Sequence, residues 1–575
     1  MRPHHRTTAI VLTLVAVVFA VFFRTLESGF LRWDDDINVF ENPHVHGLTS
    51  ENLRWMFTDF EQAIRYKPLS WLAWAIVHEV FGLNPFGYHL ANVLLHCANT
   101  VLVFLLIRRV LSLASSPAPS KEVGQSEGLA RDACATLGAL LWAVHPLRVE
   151  PVAWVTGLPY GLALMFVLTA TLFYLRVHSA CSRKRDYWLS VGSFGLAVLS
   201  YPIVLGFVGA LLALDLFPLR RFGEAHRTHR ILIEKIPYLV LSFLLVAGTV
   251  YGRFHFTGSW DRPVSLDNFP PVERAMQAFY LWGYYAWKPL LPLELCPVYP
   301  VLMESRFSEI PFLLSAIGVL TVSGLLFAKR LVWPAAAALW FAHLTMLVPM
   351  LGLTERPHYP HDRYGIINGI LWSVAMSGLL WKLARARLNF GNGLAAVTTL
   401  VLVLGVMTWR QTAIWHSDRP FFSNMASKLR SPHYRSQALM KLGNAQADLG
   451  DDDRAVVSYH EALQLSPSSA TFHLHLNLGN ALARLAQWPE AIASYETALR
   501  FKPDSASAAL NLGRALAAKG ELDRASETIT RAVLLNPQSA DTHALLAEVL
   551  SKQGKPDEAR RHAAEAERLR KAVSQ

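Results

Sequence analysis

The chain has 575 residues, 52% of them hydrophobic and 17% charged, with a net charge of +11; its mean hydropathy is +0.26. A chain this long and apolar is neither one small soluble domain nor a disordered segment, and reads as a membrane protein joined to a soluble part. Arg and Lys lie mostly beside apolar segments, so the positive excess reads as membrane topology and no nucleic-acid partner is expected. Cys97, Cys134 and Cys181 lie in or beside apolar segments and Cys296 stands alone; without a CxxC, neither a disulfide framework nor a zinc site is expected.

Residues 1–6 are short and basic, and the apolar stretch 8–23 follows without a small-residue cleavage site. It reads as an uncleaved first helix with its N-terminus in the cytoplasm. Further spans are expected at 87–107, 133–148, 159–177, 187–201, 203–218, 234–251, 309–328, 332–351, 364–384 and 393–410, about eleven in all. Arg108, Arg109, Arg183, Lys184, Arg185, Arg220, Arg221, Arg227, Arg230, Lys329, Arg330, Lys382, Arg385 and Arg387 then share the cytoplasmic side in one threading. Segment 273–290 would break that threading as a span, so it is expected as an interfacial or re-entrant helix. Segment 69–82 is too short to cross and is expected to behave alike. Residues 112–130, rich in Ser, Pro and Gly, read as a mobile cytoplasmic loop. The C-terminal half then lies outside: in a bacterial periplasm, or in the endoplasmic reticulum lumen of a eukaryote.

From about residue 415 the composition turns soluble and a repeat begins. Leu442-Gly443, Leu478-Gly479 and Leu512-Gly513 recur at the roughly 34-residue period of tetratricopeptide repeats. Ala455, Tyr459, Ala462 and Pro467 follow the first pair in register. Ala491, Tyr495, Ala498 and Pro503 follow the second, and Ala525, Ile529, Ala532 and Pro537 the third. A fourth unit carries Ala547, Ala559 and Ala566, with a charged capping face at Arg560, Arg561, Arg568, Arg570 and Lys571. Small residues let paired helices approach, and Pro ends the second helix of a pair. Residues 415–429 are expected as a leading helix. The expected fold class is all-α: a transmembrane helical domain over 1–410, then an α-solenoid over 411–575 with repeats near 436–469, 472–505, 506–539 and 540–573.

Chemistry concentrates in three places. Asp34, Asp35 and Asp36 follow the first span; a carboxylate here could take a proton from an attacking hydroxyl or hold a divalent cation near a phosphate. The plainer reading is a solvated acidic loop. His145 to Pro151, with Arg148 and Glu150, ends the third span at the same level. His361, Asp362 and Arg363 open the tenth span, where an Arg suits a phosphate; an Asp362–Arg363 ion pair is the plainer reading there. His89, Asn92, His96 and Asn99 are expected to hydrogen-bond to neighbouring helices. Trp55, Trp71, Trp74, Tyr284, Tyr285 and Trp287 are expected in an interfacial belt.

The run from Trp33-Asp34-Asp35-Asp36 to Glu41-Asn42-Pro43-His44-Val45 resembles the first outer loop of the transmembrane and tetratricopeptide-repeat proteins. Lys67-Pro68-Leu69-Ser70-Trp71, the run Phe81 to Leu90, His145-Pro146-Leu147-Arg148-Val149-Glu150 and Asp362-Arg363-Tyr364 resemble the same family, the last its bacterial members. The resemblance implies a polytopic glycosyltransferase of the GT-C fold that uses a sugar on a polyprenyl phosphate, as the animal members use dolichyl-phosphate mannose for protein O-mannosylation. It implies a catalytic acidic pair, Asp34 and Asp35. On this reading one aspartate is the general base, because adjacent side chains in an extended loop point apart. Arg363, with His361 and His145, would meet the donor phosphate, and Glu150 would position the acceptor or a cation. Asp36, Lys67 and Asp362 would support the loop or the acceptor, and the repeats would present a protein acceptor. One departure stands out. Thr156-Gly157-Leu158-Pro159-Tyr160 carries no charge where the family usually has a basic–acidic stretch, and contact of this stretch with substrate would imply changed specificity or lost activity. The competing readings are an inactive membrane-tethered repeat scaffold, and sugar transfer to a lipid or polysaccharide.

Overall fold

The computed structural model describes residues 3–59, 66–115, 125–178, 183–222, 225–255, 264–299, 308–353, 358–466 and 471–573. They are helical throughout, without a strand among the described residues, and divide into two compact units, Met1–Ser417 and Asp418–Gln575.

The first unit contains α1 (Pro3–Phe22), α2 (Ser50–Thr58), α3 (Pro68–Phe81), α4 (Pro85–Ala114), α5 (Gln125–Ala143), α6 (Val149–Ala153), α7 (Leu158–Val177), α8 (Lys184–Ser200) and α9 (Phe207–Leu216). It continues with α10 (Ala225–Ile233), α11 (Ile236–His255), α12 (Pro271–Trp287), α13 (Ile310–Ala328), α14 (Pro334–Leu347), α15 (Asn368–Ala386) and α16 (Phe390–Thr412). Most of each stretch expected to cross the membrane is helical, but 133–148 is broken at Val144–His145 and 203–218 is broken before α9. Six helical stretches among the described residues are long and apolar enough to cross alone: His5–Glu27, Pro85–Ala114, Val155–Val177, Thr228–Gly252, Ile310–Ala328 and Phe390–Trp415. Leu314 and Ile317 of α13 stay 63% and 61% exposed within the protein. A continuous apolar face of this kind needs lipid to cover it.

Prolines open several of these helices: Pro68, Pro85, Pro271 and Pro334 sit where the missing N–H is unpaired in any helix. α4 and α7 form the centre. The polar ladder of α4 bonds to its neighbours as its spacing predicts: Asn92 Nδ2 donates to Trp154 O (2.8 Å), Asn99 Nδ2 to Gly161 O (2.9 Å), and His96 Nε2 bonds Ala143 O (2.9 Å). These bonds fix the turn between α6 and α7 against the centre of the bundle.

Two expectations change. The stretch 112–130 is not all loop: α4 runs to Ala114 and α5 starts at Gln125, because Leu111 and Leu129-Ala130 continue the apolar helices; 116–124 lie outside the described residues. Trp71, Trp74, Tyr284 and Tyr285 are buried, so they pack the interior and are not an interfacial belt; Trp287 is exposed. Pro467 and Cys181 lie outside the described residues.

The second unit opens with α17 (Asp418–Lys428). Four antiparallel pairs follow: α18 (Pro432–Asp448) with α19 (Asp452–Leu465), α20 (Phe472–Arg484) with α21 (Trp488–Phe501), α22 (Ala506–Lys519) with α23 (Leu522–Leu535), and α24 (Ala540–Lys552) with α25 (Pro556–Val573). The recurring spacing of Gly and Tyr, Gly443 with Tyr459 and Gly479 with Tyr495, has a steric cause. A Cβ at Gly443 would stand 2.5 Å from the Tyr459 ring, so only glycine lets the tyrosine cross the first helix.

Candidate functional site

The first loop turns back at Asp34, whose φ of 71° is left-handed. Aspartate tolerates that conformation because its short side chain bonds locally, but a non-glycine residue there carries strain, which concentrates at working sites. The Asp34 carbonyl accepts from Asn38 N (3.0 Å) and Asn38 Nδ2 (2.8 Å), closing the turn into Asp36–Phe40. The Asp34 side chain is exposed and lines a cavity of about 630 Å³, within the usual size of small-molecule sites.

Asp35 points the other way and is fully buried. Its Oδ2 accepts from Leu31 N (2.9 Å), and its Oδ1 from Thr156 N (2.9 Å) and Thr156 Oγ1 (2.7 Å). Burial raises its pKa to about 7, against the lowering effect of those three donors. Asp35 therefore ties the loop to the α6–α7 turn, and a second tie runs from Trp154 Nε1 to Trp33 O (2.8 Å). Asp36 Oδ1 accepts from Ile37 N (3.0 Å). The three aspartates thus diverge. No group of three or more His, Cys, Asp or Glu among the described residues is placed to hold a metal ion.

Arg363 reaches the same cavity from the turn before α15. The sequence offered Asp362 as its ion-pair partner, but the partner is Glu150. Glu150 Oε2 accepts from Arg363 N (2.8 Å), and Oε1 accepts from Nη1. Arg363 Nε donates to Tyr160 OH (2.9 Å), which donates on to Tyr201 OH (2.9 Å). The guanidinium carbon also lies 5.1 Å from the Trp154 ring centroid and 5.2 Å from that of Tyr364. Nη2 is the guanidinium nitrogen these hydrogen bonds leave over.

Glu150 is 2% exposed and both its oxygens are used by Arg363, so it does not face the cavity. Where the resemblance would have Glu150 position an acceptor or a cation, the structure places it behind Arg363. His361 and His145 do not line the cavity either. His361 Nδ1 bonds Pro297 O (2.7 Å) and lies 3.1 Å from Arg363 Nη1. His145 Nδ1 accepts from Leu147 N (3.2 Å) while Nε2 bonds Pro289 O (2.9 Å); both nitrogens are used in shaping the backbone. Asp362 accepts from Tyr299 OH (3.0 Å); burial first, and then nearby Glu150, raises its pKa to about 7. Lys67 does line the cavity, donating to Asn38 Oδ1 (2.6 Å) with its ammonium 5.0 Å from the Trp74 ring centroid.

Among known proteins, the family model of the Cilia and flagella-associated protein 70 C-terminal domain matches residues 410–570. Protein O-mannosyl-transferase Tmtc3 of Drosophila melanogaster is 24% identical over 472 residues, covering 72% of this chain and 49% of that protein. Protein O-mannosyl-transferase TMTC1 of Homo sapiens is 26% identical over 521 residues, covering 78% and 54%. Human TMTC3 is 21% identical over 508 residues, covering 80% and 52%. The chain is TMTC-like. It spans about half the length of these relatives. A crystal structure of MamA is 19% identical and covers 27% of this chain and 87% of its own, at a TM-score of 0.25.

The TMTC-like chain thus gathers Asp34, Lys67 and Arg363 at one cavity, with Asn38, Glu41, Asn42, His44, Trp55, Trp71, Trp154, Thr156, Tyr160 and Tyr201 completing much of the wall. Sequence reasoning did not assign Tyr160 or Tyr201 to the site. The available signal was the uncharged stretch 156–160, since a departure from the family pattern is a place to look for contacts. A second cavity in this unit, about 460 Å³, is lined almost wholly by apolar side chains, among them Leu106, Val167, Phe207, Ala338 and Ile370.

Proposed function

We propose that the chain is a membrane glycosyltransferase that moves a mannose-like sugar from a polyprenyl-phosphate donor to a Ser or Thr hydroxyl of a protein. The reading assigns residues 1–410 to a GT-C-like catalytic domain and 411–575 to a repeat domain that presents the acceptor. It places both the acidic loop and the repeats on the outer face of the membrane: periplasmic in a bacterium, lumenal in a eukaryote. The observation that carries it is the convergence of an exposed Asp34 carboxylate and a braced Arg363 guanidinium on one cavity. The similarity to named O-mannosyl-transferases supports the reaction class.

In this reaction Asp34 takes the proton of the acceptor hydroxyl, the oxygen bonds to the anomeric carbon, and the bond from that carbon to the phosphate oxygen breaks. The electron pair leaves with the polyprenyl phosphate, whose growing charge Arg363 stabilises through the nitrogen that Glu150 and Tyr160 do not use. Asp35 acts through the loop and is a positioning residue. Trp55, partly exposed on the cavity wall, offers an apolar face to a sugar ring, and the apolar cavity suits a prenyl chain.

The test is transfer of labelled sugar from a polyprenyl-phosphate donor to a Ser/Thr-containing peptide by the purified full chain, beside Asp34→Asn. The proposal expects transfer by wild type and its loss in the variant. Wild-type rates in the variant, or no transfer by wild type with any polyprenyl-phosphate sugar, would overturn it.

A further inference from the structure

The cavity that holds Asp34 and Arg363 runs from a buried end to an exposed rim. At the buried end Trp154, Thr156, Tyr160, Tyr201 and Arg363 are 2%, 5%, 3%, 5% and 9% exposed. At the rim Ile37 is 62% exposed, and Glu41 and Pro43 are exposed as well. The proposed reaction puts the donor phosphate at Arg363, at the buried end. An acceptor coming from water then arrives over the rim. No step of sugar transfer uses Ile37 or Glu41.

Both residues belong to the single turn that follows Asp34. Glu41 N donates to Asp36 O (2.9 Å). That bond spans five residues and closes a π turn, a rare form that recurs at functional sites. Ile37 and Glu41 stand four residues apart and share the face of the turn that lines the cavity. One is apolar and the other is anionic.

The Glu41 carboxylate takes no hydrogen bond and no ion pair among the described residues. The other ionic groups of the wall have work already. Arg363 is held by Glu150, and Lys67 Nζ donates to Asn38 Oδ1 (2.6 Å). Asp34 is the base of the proposed reaction. The rim therefore presents one carboxylate without a partner, one turn away from an exposed isoleucine.

We infer that this rim selects acceptor segments that carry a Lys or Arg near the modified Ser or Thr, with the apolar stem laid over Ile37 and the cationic head at Glu41. Lys and Arg are the side chains built this way, a hydrocarbon stem ending in a charge. An acidic segment would meet Glu41 and Asp34 as like charges. A sugar hydroxyl would gain nothing from Ile37. The turn also sets a register. From Asp34 to Glu41 the chain advances about 10 Å at roughly 1.5 Å per residue. An extended peptide covers that distance in about three residues at roughly 3.3 Å each, so the basic residue belongs about three places from the acceptor hydroxyl. The place of that hydroxyl rests on the function proposed above; the charge preference in binding needs no transfer.

The test measures binding first, without any sugar donor. Fluorescent seven-residue peptides with blocked termini carry Ser at the centre and Lys, Ala or Glu at both ends, and are otherwise identical and uncharged. They are titrated into the detergent-solubilised full chain and followed by anisotropy. Wild type should bind them in the order Lys, Ala, Glu, each step roughly two- to fivefold, the scale of an exposed ion pair. The steps should shrink as salt rises. Glu41→Gln should bring the three affinities together, and Glu41→Lys should reverse their order. Each comparison is a ratio within one protein, so the folded fraction cancels. Transfer rates to the same peptides should follow the same order. Equal affinities in wild type, a Lys preference that survives Glu41→Gln, or no binding of any peptide would overturn the inference. Absence of transfer with the charge order intact in binding would overturn the catalytic proposal alone.

Discussion

Glu150→Gln tests whether this carboxylate acts only by holding Arg363. Glu150 and Arg363 are 2% and 9% exposed, and Arg363 donates to both Glu150 oxygens. Glutamine keeps the shape and one acceptor but removes the charge and the second acceptor. A charge-assisted hydrogen bond of this kind is worth about 1.5–3 kcal/mol. If that energy holds the guanidinium in place during transfer, the rate should fall roughly ten- to 150-fold, since about 1.4 kcal/mol is a factor of ten. Truncation to alanine would instead strand a buried charge and cost about 3–5 kcal/mol of folding, so glutamine is the informative change. The assay is a double-mutant cycle on transfer rate with Arg363→Gln, normalised to folded protein by circular dichroism. The double variant should be no slower than Arg363→Gln alone, giving a coupling of about 1.5–3 kcal/mol. Additive losses would refute the reasoning, because they would require Glu150 to meet substrate without Arg363.

Asp34→Asn should lower transfer by about 10²–10⁴-fold, the usual cost of a lost general base, while Asp36→Asn, which removes a charge but keeps an oxygen to accept from Ile37 N, should lower it far less; equal losses measured in the same transfer assay would discard the distinction. Burial raises the Asp35 pKa from 3.8 to about 7, so folding stability should decline by up to about 1.4 kcal/mol per unit as pH rises from about 4 to about 7, and level off above. Asp35→Asn should remove that slope from a thermal-unfolding series, and an unchanged slope would move the titration to another group, Asp362 first. A reporter fused after Gln575 should give a periplasmic or lumenal signal if the threading from the basic residues holds; a cytoplasmic signal would make the helix Pro271–Trp287 a true span.

The helices were legible because each carries its own signal: an apolar run of sufficient length, a proline at its start, or the Leu-Gly and Ala-Tyr-Ala register of a repeat. Asp34 and Arg363 were legible as chemistry, since three carboxylates after a span and an Arg before one are conspicuous. The pairing was not. Arg363 has Asp362 beside it in sequence, but the backbone turn sends Asp362 toward Tyr299 and turns Arg363 onto Glu150. Glu150, likewise, read as a carboxylate free to position an acceptor or a cation, because a sequence shows a charge but not its partner. Alternation along an extended loop was the ground for expecting Asp34 and Asp35 to point apart, but the loop is a turn here, with Asp34 left-handed and Asp35 in the helical region. Which of them faces the cavity depended on a left-handed turn that no residue type announces, because aspartate enters that conformation only when the surrounding bonds hold it.

The uncharged stretch 156–160 now has a physical account. Thr156 supplies two of the three donors to Asp35, and Tyr160 takes the Nε hydrogen of Arg363. The stretch therefore braces both halves of the site without adding charge to it. The ionic groups on the cavity wall are Asp34, Glu41, Lys67 and Arg363, two of each sign. Glu150 already balances Arg363 from behind. A carboxylate at position 160 would give the guanidinium a second anion, leave the site net negative, and compete with a donor phosphate for the same nitrogens. A phenol accepts the same hydrogen bond and stays neutral. Tyr160 passes the bond on to Tyr201, so its own hydroxyl hydrogen is also placed. The departure from a charged stretch is consistent with a site that binds a phosphate at Arg363.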